Sequence, residues 1–128
     1  DAELKLFQIW IIPNQRNVEP RYDQFKIDPL SHQNKFVQLV SPNKNDEGIW
    51  IHQDAYIHLA TVESGKAIEY TPKNSKNGLY IMNVEGTFSV LSNELEMRDA
   101  LSIDAAEKIT FEAKENSKIL VLEVSMTF

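Results

Sequence analysis

Cysteine is absent from this 128-residue chain. With it go a disulfide framework, a thiol nucleophile and any cysteine-ligated zinc or iron–sulfur centre. Basic residues are scarce as well, 13 Lys+Arg against 19 Asp+Glu, for a net charge of −6 and a pI near 5.0. Such a surface lacks the cationic groups whose neutralisation of phosphates supplies most nonspecific nucleic-acid affinity, so nucleic acid is not an expected partner. Long apolar runs are missing too. The most apolar stretch, Ile9-Trp10-Ile11-Ile12, falls far short of the roughly 20 residues a membrane helix requires, and no charged-then-apolar leader opens the sequence. The expectation is a soluble chain with no membrane partner, and a cytoplasmic location fits the lack of cysteine. Glycine is sparse, and Gly48, Gly65, Gly78 and Gly86 are scattered, which suits turns rather than a phosphate-cradling loop.

No window carries a convincing 3.6-residue stripe, whereas period-two alternation recurs throughout. In Lys108-Ile109-Thr110-Phe111-Glu112-Ala113 the odd positions are apolar and the even ones polar, as in a strand with one face on a core. Further strands are predicted over Leu4–Ile12, Tyr22–Ile27, Phe36–Val40, Ile49–Gln53, Tyr56–Val62, Lys66–Tyr70, Gly78–Val84, Thr87–Leu91, Glu94–Met97, Ala100–Asp104 and Lys118–Val124. Turns are expected at Asp46-Glu47-Gly48, Ser64-Gly65, Asn77-Gly78, Glu85-Gly86 and Ser92-Asn93. Short strands at this spacing predict one all-β domain over residues 1–128, a sandwich or barrel of antiparallel strands. A chain this size buries about 67% of its unfolded surface, enough for a core without staples. The first predicted strand is apolar on both sides, Leu4, Leu6, Trp10 and Ile12 on one and Phe7, Ile9 and Ile11 on the other, so something should cover its second face.

The blocks Leu6-Phe7-Gln8-Ile9-Trp10-Ile11-Ile12-Pro13, Glu19-Pro20-Arg21-Tyr22 and Ile51-His52-Gln53-Asp54-Ala55 together resemble the second half of the pirin-like bicupins. These are two-cupin proteins, some described as quercetin 2,3-dioxygenases. The resemblance implies a cupin-type jelly roll, with the metal and the dioxygenase chemistry in an N-terminal cupin that this chain lacks. That half would be its partner; a homo-oligomer is left open. The opening Asp1, rather than Met, suits a piece whose upstream segment was removed. A metal-binding cupin needs two histidines two apart, a carboxylate a few residues on and a third histidine on a later strand. Anchored on Glu85-Gly86, the first motif puts Leu79 at the carboxylate and Pro72–Ser75 at the histidine pair. The second, anchored on Arg98-Asp99-Ala100-Leu101, puts Ile109 at the third histidine and Asp104 and Ala106 at the usual proline and glycine. No ligand survives in this register, so no catalytic residue, cofactor or metal is expected in this domain.

A rival register uses His52, Asp54 and His58, with Gly65 seven residues beyond. Three such nitrogen and oxygen donors could hold zinc, iron or nickel weakly, and would make the chain a stand-alone metal-dependent dioxygenase. Parity argues against it. In one continuous strand Ile49, Ile51, Ala55, Ile57 and Leu59 form the apolar side, which turns Trp50, His52, Asp54, Tyr56 and His58 away from the core unless a bulge near Gln53-Asp54 intervenes. That face then reads as an aromatic, polar contact surface. Ser31-His32 is only an adjacency in a Pro29-containing loop, and Asp46-Glu47 and Glu94/Glu96 read as solvent-facing charge. The expected function is therefore structural, a metal-free half supporting a catalytic one. A carrier of apolar small molecules rests on fold analogy alone.

Overall fold

The computed structural model describes residues 9, 11, 16–17, 33–45, 48–104 and 107–126. Apart from Ile9 and Ile11, for which no strand is assigned, the predicted strands over 4–12 and 22–27 lie outside these residues, as do Ser31-His32, Asp46-Glu47 and Ala106. The described residues form ten strands: β1 (Phe36–Ser41), β2 (Ile49–Trp50), β3 (Ala55–Val62), β4 (Ala67–Tyr70), β5 (Gly78–Glu85), β6 (Phe88–Val90), β7 (Asn93–Leu95), β8 (Ala100–Asp104), β9 (Ile109–Ala113) and β10 (Ser117–Val124). They form a six-stranded sheet, β2-β1-β3-β10-β5-β8, and a four-stranded sheet, β4-β9-β6-β7. Among these described strands the pairings are antiparallel except the short one between β1 and β2, Val40 to Ile49 and Ser41 to Trp50.

Alternation decides which side chains meet between the sheets. In β9, Ile109, Phe111 and Ala113 are buried while Thr110 and Glu112 face solvent. From the six-stranded sheet Ala60, Val62, Leu79, Ile81, Ile119 and Val121 point inward to meet Ile68, Tyr70, Phe88, Val90 and Phe111. Edge-on ring contacts cross this core from His58 to Tyr70 (5.2 Å), Tyr70 to Phe36 (5.2 Å), Phe36 to Phe111 (5.5 Å) and Phe111 to Phe88 (5.8 Å). Such pairs contribute about 0.5–1.5 kcal/mol each beyond buried area. Asn83, fully buried on β5, donates through Nδ2 to the carbonyls of Gly86 (2.8 Å) and Leu95 (2.7 Å), tying the β5–β6 turn to the end of β7.

Two segments depart from simple alternation. The strand predicted over Ile49–Gln53 stops at Trp50, and residues 51–54 bend before β3 begins. The β6–β7 reversal falls at Leu91-Ser92, both at positive φ (49° and 65°), with Val90 paired to Asn93, so Leu91 leaves the strand and is 51% exposed. A two-residue reversal of this hand matches the twist of its strands, which outweighs the roughly 1–2 kcal/mol that a left-handed residue costs.

The link between β3 and β4 turns on Gly65, at φ +83° with nothing near a built Cβ. Gly65→Ala is accordingly expected to lose about 1 kcal/mol of unfolding free energy, all of it backbone strain. Urea denaturation should show this as a lower midpoint at unchanged slope.

Candidate functional site

Two of the positions at which cupin motifs place metal ligands fall inside the sandwich. Leu79 on β5 and Ile109 on β9 are each 3% exposed, and both belong to the apolar cluster. Residues 72–75, where the histidine pair would lie, form part of the loop between β4 and β5. Carbon side chains offer no lone pair, so this set does not fit a metal ion.

A protein carboxylate organises this end of the sandwich. Glu123 follows Ile119 and Val121 on the inward side of β10 and is completely buried. Its Oε1 accepts a 2.7 Å hydrogen bond from Tyr70 Oη. Its Oε2 accepts from the backbone N–H of Lys73 (2.7 Å) and of Asn74 (3.3 Å) and from Asn77 Nδ2 (2.7 Å). The loop that would carry imidazoles instead turns its amides onto an internal anion. Buried charge is tolerable in this form, with both oxygens hydrogen-bonded.

His58 extends the chain of bonds. Tyr70 spends its proton on Glu123, so its oxygen can only accept from His58 Nδ1, 3.3 Å away, which assigns the Nδ1–H tautomer. Burial holds the His58 pKa down at about 4, with Lys73 lowering it further and Glu123 opposing. The imidazole is therefore neutral at pH 7. Tyr70 is pushed well above its ordinary value by burial first, then by its bond to Glu123. The site is thus a neutral imidazole and a neutral phenol strung to one carboxylate, a bracing network rather than an acid–base pair poised near neutrality.

The three donors of the rival register end up in different surroundings. His52 lies in the 51–54 bend, its ring 4.9 Å from Trp50, over which Lys44 Nζ sits 4.8 Å from the ring centroid. Asp54 is exposed, and its carbonyl accepts from the Ser125 amide at 3.2 Å. His58 is 7% exposed between the sheets. Among the described residues no three His, Asp or Glu side chains converge in a way that could hold a metal ion.

One expectation is corrected here. His58 does not point away from the core; it shares the inward face of β3 with Ala60 and Val62. The other side of β3, with Ala55, Ile57 and Leu59, is apolar too, so hydrophobicity could not tell which face meets the core. Glu123 and Tyr70 had not been singled out. The signal was present in Ile119-x-Val121-x-Glu123, which puts a carboxylate in step with two inward aliphatics.

Sandwich and site together describe an all-β protein of the cupin type. The chain belongs to the family of the quercetinase C-terminal cupin domain, whose model matches residues 38–124. It is 33% identical over 122 residues to a Zymomonas mobilis protein named "Putative quercetin 2,3-dioxygenase", covering 94% of this chain and 52% of that one. A Pseudomonas aeruginosa protein of the same descriptive name is 30% identical, with the same coverage. Among solved structures, Escherichia coli YhhW superposes with a TM-score of 0.83 at 20% identity, covering 92% of this chain and 49% of that one, a likeness of fold. A YhhW structure in complex with nickel(II) superposes with a TM-score of 0.82. The chain spans about half the length of the curated relatives it matches. Among the described residues no helix is long and apolar enough to cross a membrane.

Proposed function

We propose that this domain is the metal-free, supporting half of a cytoplasmic pirin-like protein, and that it packs against and steadies an N-terminal cupin of quercetin 2,3-dioxygenase type that carries the chemistry. The observation that carries this reading is the chemistry of the interior. Leu79 and Ile109 are hydrocarbon at the motif's ligand places, and the nearby Glu123 carboxylate is committed to four donors of its own chain. A side chain so engaged would have to surrender those bonds to meet a cation, at the cost of leaving buried donors unpaired. The names of the relatives and the half-length match support a role within a larger protein.

Dialysed protein titrated with nickel(II) is expected to show no saturable one-to-one heat, and elemental analysis to find well under one metal per chain. One equivalent retained through dialysis and lost in His52→Ala would favour the stand-alone dioxygenase using His52, Asp54 and His58.

A further inference from the structure

We infer that the outward face of the six-stranded sheet, at the corner made by Tyr80, Leu122, Val124 and Met126, is the surface on which the other cupin half seats. This rests on the reading of the domain as a supporting half, and it specifies which side of the sandwich does the supporting.

An antiparallel sheet with one face in water alternates apolar and polar residues along its strands. The three central strands here do not. Across β3, β10 and β5 the outward residues align as Leu59–Leu120–Met82 and, in the next row, Ile57–Leu122–Tyr80. Neither row contains a charge. The row beyond pairs Val124 with Gly78, and Met126 folds over that glycine, its Sδ only 2.6 Å from where a Cβ would stand. Leaving out a side chain at position 78 makes room for the methionine and keeps the corner flat.

Burial across this face is uneven. Ile57 and Leu120 are each 8% exposed, while Tyr80 is 40%, Val124 38% and Met126 47% exposed. The apolar surface therefore continues past what the chain itself covers. Of the other exposed apolar groups among the described residues, Ile9 lies on no assigned strand, and Leu91 and Met97 belong to the β6–β7 reversal and the β7–β8 connection and do not extend this grid.

The size of the bare corner selects its occupant. A freely diffusing partner or a second copy needs an interface of roughly 800 Å² on each side, more than a few half-exposed side chains provide. A tethered neighbour, present at an effective concentration of order millimolar, needs far less. The relatives supply such a neighbour in the half of their length that this chain does not match. Two copies of the present chain, each carrying a net charge of −6, would also repel.

The chain's three methionines allow a direct test, because Met82 and Met126 lie on this face and Met97 does not. Thioether oxidation follows exposure. The 128-residue chain is compared with a fusion in which it replaces the matching half of the Zymomonas mobilis relative, both treated with dilute hydrogen peroxide and read by peptide mass spectrometry. Met126 is expected to oxidise roughly tenfold more slowly in the fusion while Met97 keeps its rate. A fusion that melts as one unit but leaves Met126 as reactive as before overturns this surface alone. Two independent melting transitions with no protection overturn the supporting-half reading as well. Concentration-dependent protection of Met126 in the 128-residue chain would show that a second copy takes the corner, and would overturn the assignment.

Discussion

Glu123→Leu is expected to lower unfolding free energy by about 4 kcal/mol, although leucine suits the surrounding apolar side chains and nearly matches the volume removed. The loss comes from the donors left behind. Tyr70 Oη, the amides of Lys73 and Asn74, and Asn77 Nδ2 all give their protons to this one carboxylate. Each donor stranded without a partner costs about 1–3 kcal/mol. The loop donors can recover water by lifting away, which limits the total, but the loop then ceases to close that end of the sandwich. Two measurements separate this from a simple packing defect. Urea denaturation should show the lower stability, and limited proteolysis should cut newly within residues 71–77. Glu123→Gln keeps one acceptor oxygen, and Asn77 can turn its amide oxygen towards the new NH2, so the expected loss falls to about 2 kcal/mol. Equal, small losses in both variants would mean that the carboxylate is a passenger.

The same residue shows where sequence reasoning reached and where it stopped. Strands such as β9 were legible because one side meets the core and the other meets water, so Ile109, Phe111 and Ala113 declare themselves against Thr110 and Glu112. β5, β8 and β10 were found to within about a residue, with the Asn77-Gly78 and Glu85-Gly86 turns marking the limits of β5. Alternation lost its meaning on β3. There Ala55 and Ile57 are buried on one side, and His58, Ala60 and Val62 on the other, so a rule that equates apolar with inward has two answers. Leu91 was read as the end of a strand because nothing in its chemistry announces a left-handed turn; the pairing of Val90 with Asn93 imposes it. The inward-facing positions of Leu79 and Ile109 could be read from alternation, and both are in the core. The carboxylate brace could not be assembled from the sequence, because Tyr70, residues 73–77 and Glu123 are separated by up to 53 positions and meet only when two sheets close.

Acid should weaken this brace before it weakens the rest of the core. His58 titrates at about 4 in the folded protein against an ordinary value of 6.5. Between those pH values the unfolded chain binds a proton that the folded chain refuses, so stability is greatest above about pH 6.5 and falls as pH drops towards 4. The full difference would amount to about 3 kcal/mol, and solvent at the edge of the ring reduces the expected loss to about 2 kcal/mol. The groups facing His58 act in opposite directions. Lys73 disfavours the imidazolium and Glu123 favours it, while desolvation exceeds both. Tyr70 keeps its proton throughout this range, because burial and Glu123 raise its pKa. His58→Gln retains a side-chain amide able to donate to Tyr70 but cannot titrate, so its stability should change less steeply across this window than that of the parent chain. Urea midpoints collected at half-unit intervals from pH 4 to 7.5 give the comparison. Carboxylates elsewhere contribute equally to both proteins, so the difference between the two curves isolates His58. Parallel curves would place the imidazole in contact with water and remove it from the bracing network.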